Sequence, residues 1–365
     1  MKIRQFLRGF LPKPRRRFSL FQIEPTSNCN LNCIMCPWTE LHTGKSDMSW
    51  EVFEKIAEYF CHSEGVDFTG TGEPLLHPRL EEMVRIAKDR GCVTGFSTNA
   101  TLLEPERGRA LIGAGLDWIA YSVDAATEET YENIRLGGRF YRVLENIEAF
   151  RNLRDKSGDT KPKSMLFFVM MKDNMAELPD AVEMAHNLGI EHFVAKNLDV
   201  IMKQFDDDRR IFVNSKDDKI DPAVSLLIDK AKIKADKHNL PFRVYDLFPS
   251  ERPICEQDPL NSLFIARDGS VSPCINLAYI EDRVFCGSWK TFPLQRLGNL
   301  MKEPLATIWE KHQYEHFRSL FIERMHCNTR RFMQFAANGF RGNGPTEELP
   351  PPPEGCGGCH YLYGV

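Results

Sequence analysis

No run of eighteen apolar residues occurs in the 365-residue chain, so a membrane-spanning helix is not expected. A secretory signal is missing too: the N-terminus is basic, but its apolar stretch is short and broken by Arg8. Neither sign of charge is in large excess. A net charge of −4 excludes the global basic footprint of a nucleic-acid-binding protein, and no nucleic-acid partner is expected. There is no internal repeat. Against these absences stands an abundance of cysteine, eleven in all. An odd count without an export signal points to a reducing cytoplasm, and to metal ligation rather than disulfides. At 42% hydrophobic the chain can bury a large core, divided into one large domain and a smaller one, or into two.

Three of the cysteines lie within eight residues, in Cys29-Asn30-Leu31-Asn32-Cys33-Ile34-Met35-Cys36. A structural zinc site takes four protein ligands, often as two separated pairs, and is closed. Three thiolates in one loop can instead hold three irons of a [4Fe–4S] cube and leave the fourth open to an outside ligand.

The basic arm, residues 1–17, carries Ile3, Phe6, Leu7, Phe10 and Leu11 at helical spacing, stopped by Pro12. It reads as a short helix docked on the main domain, or as an amphipathic helix making weak contact with a membrane surface or an anionic carrier. Beyond it, strands are expected at Phe18–Glu24, Gly65–Thr69, Cys92–Ser97, Leu116–Val123, Ser164–Lys172 and Ile190–Lys196. Between them fall helices: one capped by Ser46-Asp47 and running to Phe60, then Pro78–Arg90, Glu104–Ala114, a long amphipathic segment Thr127–Leu153, and Asn174–Leu188. Six strand–helix alternations imply an α/β fold with a parallel sheet, as a barrel or as an open sheet. Residues 201–251 read as a charged connection with a helix over Asp221–His238. A second module, 252–365, is centred on the hairpin Leu263–Arg267, Asp268-Gly269, Ser270–Cys274. A helix over Leu305–Glu323 and a Gly/Pro-rich loop follow, before Gly355-Cys356-Gly357-Gly358-Cys359-His360.

The pattern Cys29-x3-Cys33-x2-Cys36, with apolar Met35 before the third cysteine, resembles the signature of the radical S-adenosylmethionine (radical SAM) enzymes. The resemblance implies a partial (β/α)6 TIM-type barrel over residues 18–200. Three further motifs follow strands, where parallel sheets place their chemistry. Gly70-Thr71-Gly72-Glu73-Pro74 is similar to the Gly-rich loop whose acid, here Glu73, binds the methionyl ammonium; the usual Gly-Gly-Glu-Pro appears as Thr-Gly-Glu-Pro. Ser97-Thr98-Asn99 resembles the ribose-contacting motif, which implicates Ser97 and Asn99. Ser122-Val123-Asp124 matches the Ser-x-Asp motif, with Ser122 and Arg135 implied for the SAM carboxylate. Met35 is expected against the adenine.

Cys255-x13-Gly269-x4-Cys274 fits the opening of the auxiliary-cluster (SPASM) module that follows many radical SAM barrels. The full module goes on to a run of four cysteines, whereas here only Cys356 and Cys359 follow. The resemblance is thus to the shortened "twitch" form, with one auxiliary [4Fe–4S] cluster on Cys255, Cys274, Cys356 and Cys359. Cys286 or Cys327 could replace one ligand. Structural zinc on the four thiols and a terminal redox dithiol are alternatives; the dithiol is disfavoured because no helix is expected after it. For a base, Glu256, Asp258, Asp282 and His326 lie in this module, and spacing selects none.

What the resemblance implies is a cytoplasmic enzyme that cleaves SAM to a 5′-deoxyadenosyl radical and abstracts hydrogen from an unactivated C–H. Oxidation of a small hydroxylated or amino-bearing metabolite is expected, with the auxiliary cluster as electron acceptor and a low-potential donor such as flavodoxin or ferredoxin. A peptide-modifying enzyme and a non-catalytic zinc-binding interaction protein are the alternatives.

Overall fold

A computed structural model describes residues 16–39, 44–158, 160–198, 200–202, 207–337 and 347–365. The helical pattern expected between Ile3 and Leu11 lies outside them. Six parallel strands alternate with helices as the patterning predicts: β1 (Phe18–Ile23), α1 (Trp50–Ala57), β2 (Ser63–Asp67), α2 (Leu80–Asp89), β3 (Val93–Thr98), α3 (Pro105–Ala114), β4 (Trp118–Ser122), α4 (Glu128–Ile134), α5 (Phe140–Ser157), β5 (Lys163–Met170), α6 (Leu178–Asn187) and β6 (His192–Asn197). The stretch expected as a connection supplies α7 (Pro222–Lys237) and β7 (Phe242–Val244), a seventh parallel strand on the far edge of β6.

The C-terminal part contributes β8 (Ser262–Ile265), β9 (Ser270–Ser272), α8 (Ile275–Tyr279), β10 (Asp282–Phe285), β11 (Ser288–Thr291), β12 (Gly298–Asn299), α9 (Leu305–Trp309), α10 (His312–Ala337) and α11 (His360–Tyr363). Its hairpin does not stand apart. Strand β8 pairs in parallel with β1, so one sheet runs β12-β9-β8-β1-β2-β3-β4-β5-β6-β7.

Register fixes which side chains face out. Phe21, Val66, Phe96, Ile119, Leu166 and Phe193 are all fully buried, each aligned with the next across the strands or two residues along. They pack on helical residues such as Phe53, Met83, Leu111, Ile147 and Val182 in a single core. The alternate positions, Gln22, Asp67, Ser97, Trp118, Phe167 and Lys196, point the other way and keep some accessible surface. The helices therefore clothe one face, and the other lines a lumen. At Gly95 an added Cβ would lie 2.1 Å from the Trp118 ring, so the indole rests directly on the neighbouring strand. Gly95→Ala is expected to cost about 1–3 kcal/mol by overpacking, read as a lowered urea midpoint at unchanged slope.

Three helix boundaries differ from expectation. Asp47 does not cap α1: its carboxylate accepts from Thr26 Oγ1 (2.6 Å) and Asn28 Nδ2 (2.8 Å), bracing the cysteine loop, and Ser49 caps instead. The segment 127–153 breaks into α4 and α5 at Gly137, whose φ of +93° ends a helix at little steric cost. The helix expected from Leu305 breaks after Trp309 and resumes as α10 as far as Ala337.

Candidate active site

The three-cysteine loop leaves the end of β1 and docks on the turn after α4, where Asn32 N donates to Leu136 O (2.9 Å) and Ile34 N to Ile134 O (3.0 Å). Cys29, Cys33 and Cys36 all face two adjoining cavities, of about 430 and 250 Å³. Burial pushes the Cys36 thiol up to about 12, with the neighbouring Cys33 adding to the effect. Cys29 and Cys33 are raised by burial as well, the Arg135 guanidinium opposing in both. Three soft donors, costly to ionise alone, fit a centre that replaces their protons with iron.

The smaller cavity collects most of the remaining motif residues: Met35, Glu73, Ser97, Asn99, Ser122 and Arg135. Met35 also packs with Ile134, Met171 and Leu198. Glu73 is 3% exposed and already engaged. Its Oε1 accepts from Thr98 Oγ1 (2.7 Å) and Leu75 N (3.0 Å), and its Oε2 from Asn99 N (2.7 Å). Burial raises its pKa against these donors. Glu73 thereby ties the Gly-rich loop to the end of β3. Asn99 continues the tie, donating through Nδ2 to Asn30 Oδ1 (3.1 Å) in the cysteine loop.

The glycines of the second motif have a packing reason. A Cβ on Gly72 would lie 2.3 Å from the Asn28 carbonyl oxygen, and one on Gly70 would lie 2.5 Å from Glu24 Cγ. Both let the loop close against the backbone just ahead of Cys29.

Asp124 does not line the cavity. It is fully buried, accepts from Val169 N (2.7 Å) and pairs with Arg135 at 2.5 Å. Arg135 reaches Cys33 Sγ at 3.8 Å as well, so this pair positions the loop.

Sequence reasoning missed Glu24, the residue after β1. Fully buried, its carboxylate accepts from Thr71 Oγ1 and Tyr279 Oη (both 2.5 Å) and from Arg267 Nη1 (3.1 Å). Arg267 and Tyr279 belong to the hairpin and to α8, so Glu24 joins the Gly-rich loop to the C-terminal part.

There the four expected thiols converge. Cys356 is raised by burial and then by Cys359, Cys274 and Cys255; Cys274 is pushed up to about 11 by burial and then by Cys359. Cys286 sits instead beside Arg210 and Asp207, and Cys327 beside Glu347 and Arg330. Among the described residues no three His, Cys, Asp or Glu side chains are grouped closely enough for a single metal ion. The four thiols act on one another's charge and are therefore neighbours. A short helix, α11, does follow Cys359, contrary to expectation, yet the Cys356 thiol is raised and not lowered.

Two arginines brace this set. Arg283 is buried and donates to Gly355 O. Arg324, fully buried on α10, donates to Arg252 O (2.8 Å), Pro253 O (3.2 Å), Glu251 Oε1 (2.7 Å) and Pro350 O. It clamps the segments leading to Cys255 and Cys356 together. Its only trace in the sequence is a charge on the apolar face of a helix.

Glu256, Asp258, Asp282 and His326 are not drawn to the cavity: Glu256 bonds Tyr245 and Arg243, Asp258 bonds Asn261, Asp282 bonds Thr291, and His326 is exposed.

Residues 23–185 match the radical SAM superfamily, and residues 255–331 match an iron–sulfur cluster-binding domain, SPASM. The tungsten-containing aldehyde ferredoxin oxidoreductase cofactor-modifying protein of Pyrococcus furiosus is 31% identical over 301 residues, 81% of this chain and 82% of that protein. Among solved structures, Streptococcus suis SuiB bound to S-adenosylmethionine shares the fold at a TM-score of 0.62 and 15% identity, over 83% of this chain and 68% of SuiB. SuiB bound to its precursor peptide SuiA matches at 0.59 and 16% identity, over 87% and 70%. The structure of anSMEcpe with bound AdoMet matches at 0.60 and 15% identity, over 83% of each chain. No helix among the described residues is long and apolar enough to cross a membrane.

Proposed function

The chain belongs to the radical SAM superfamily, and on that premise we propose that it oxidises a small hydroxylated or amino-bearing molecule, using Cys29, Cys33 and Cys36 to hold the SAM-binding cluster and Cys255, Cys274, Cys356 and Cys359 to hold one auxiliary cluster. When bound and reduced, the first cluster supplies the electron that cleaves SAM, yielding a carbon radical able to take hydrogen from an unactivated C–H.

The protein's own residues bind, orient and exclude water. Ser97, Ser122 and Met35 offer a hydroxyl-lined and apolar wall for the nucleoside. Asn99, fixed by Asn30 and Thr101, presents its remaining amide hydrogen at the cavity edge. Glu73 retains one lone pair, on Oε2, for the methionyl ammonium, and Arg135 offers charge for the carboxylate. The auxiliary thiols make a four-sulfur set, which suits electron transfer better than substrate chemistry.

The observation that carries this reading is the joining of the two cysteine sets through Glu24, which bonds the SAM loop at Thr71 and the auxiliary module at Arg267 and Tyr279. The Pyrococcus furiosus relative's name, a modifier of a cofactor, supports a substrate other than a peptide. The peptide reading is favoured by the fold shared with the SuiA-bound SuiB.

An anaerobic screen of hydroxylated and amino metabolites against peptides, read by 5′-deoxyadenosine release, separates the two. Metabolites are expected to raise release above the substrate-free rate, with one SAM consumed per product; stimulation by peptides alone contradicts the proposal. Cys356→Ala is expected to lose about four irons per chain and substrate oxidation while keeping substrate-free SAM cleavage. Two zincs and no iron in the native protein would instead mark a binding module.

A further inference from the structure

Beneath the SAM cavity the lumen holds a second group of side chains. Asp67 is the last residue of β2, Gln22 and Lys196 are the next-to-last residues of β1 and β6, and Phe167 and Trp118 lie on β5 and β4. All five face inward. Strands β2 and β6 are four places apart in the sheet, about 19 Å if it were flat at roughly 4.8 Å per strand. Both side chains lie on the inward face of the curved sheet, and Lys196 is near enough to lower the Asp67 carboxyl somewhat by its charge.

The Lys196 ammonium sits 4.1 Å from the centre of the Phe167 ring and makes no hydrogen bond or ion pair within 4 Å among the described residues. Asp67 is held by Thr69, whose Oγ1 donates to Asp67 Oδ1 at 2.5 Å; the Thr69 carbonyl accepts from Gln22 Nε2 at 3.0 Å. Thr69 itself lines the SAM cavity, so the two spaces meet at that residue. Burial raises the Asp67 carboxyl to about 7 against the pull of Thr69 and Lys196, which leaves the lysine only partly compensated near neutral pH.

A cation without a close counter-ion in a half-dry lumen calls for an anion from outside. The ring of Phe167 flanks it with apolar surface, and the neutral form of Asp67 can donate one hydrogen bond. We propose that Lys196 and Asp67, with Phe167, form a substrate subsite for a carboxylate carried on a small apolar or aromatic body, Lys196 binding the carboxylate. The subsite rests on the enzymatic reading above and names the chemistry that its substrate must carry.

The test uses anaerobically reconstituted holoenzyme with SAM and no reductant. The probes are 4-fluorophenylacetate and its uncharged counterpart 4-fluorophenylacetamide, followed by fluorine NMR. Saturable binding of the acid, at least tenfold tighter than the amide, is expected for the native protein. Lys196→Met is expected to abolish that preference and Lys196→Arg to retain it, with circular dichroism spectra and melting temperatures confirming that each is folded. Equal binding of acid and neutral counterpart in both arms, no saturable binding in either arm, or a preference that survives Lys196→Met overturns the proposal. A second arm compares an octapeptide amide bearing one Glu with its Gln counterpart. Preference for the acid in either arm supports the subsite, and the arm that shows it identifies a free metabolite or a peptide as the carrier. Reductive SAM cleavage in the same preparation reports separately on the enzymatic reading, so loss of acid preference with cleavage intact sinks only the subsite.

Discussion

An Arg135→Leu protein is expected to be less stable than the native chain by about 3–5 kcal/mol, because it strands a fully buried Asp124 carboxylate without its counter-charge. Burial already pushes the Asp124 carboxyl upward even with the arginine present. The loss should not stop at stability. Arg135 closes α4 at the turn whose carbonyls, on Ile134 and Leu136, hold the cysteine loop by Ile34 and Asn32. A turn released from Asp124 no longer fixes Cys33, and iron uptake should fall with it. The Asp124→Leu/Arg135→Leu double variant removes both charges and is expected to recover part of the stability but not the iron. Denaturant unfolding of the three proteins under reducing, anaerobic conditions checks the first point and iron assay the second. A loss below about 1 kcal/mol for Arg135→Leu would mean that the pair is solvated and has no such role.

Cys33→Ala is the second large effect. It is buried, 9% exposed, and it touches Arg135. Its removal leaves two thiolates for a centre that needs three from the protein. We expect iron to fall by about four per chain, with the auxiliary set still loaded, and SAM cleavage to drop to background. Loss of all iron would instead mean that the two sets assemble together. The Glu24 bridge makes that outcome informative, since Glu24→Gln weakens the same connection without touching a thiol.

Much of this was legible because β/α chains announce themselves by period. Phe21, Val66, Phe96 and Ile119 recur as buried strand centres, and each polar motif follows one of them. Strand β7 was not legible: three residues carry too little alternation, and it is placed by its pairing with β6. The helix start at Ser46-Asp47 was misread because Asp47 satisfies Thr26 and Asn28 in the cysteine loop, contacts that no local pattern encodes. Motif likeness located Glu73 and Asp124 but not what they bind. One ties β3 to the Gly-rich loop, and the other neutralises Arg135. The resemblance singled out Cys255, Cys274, Cys356 and Cys359, which lie near one another, whereas Arg324 and Arg283, which hold their segments, carried no signal, because single arginines carry no period. Asp67 and Lys196 are 129 residues apart, and no local pattern relates them.

The central claim is that Cys29, Cys33 and Cys36 hold a cluster with one open iron that receives SAM. The direct test is to reduce anaerobically reconstituted native protein with dithionite in the presence of SAM, and to measure 5′-deoxyadenosine and methionine. The account predicts equal amounts of both from the native protein, and neither from a protein in which all three cysteines are alanine. Iron-loaded native protein that leaves SAM intact, or a triple variant that still cleaves it, would contradict the account.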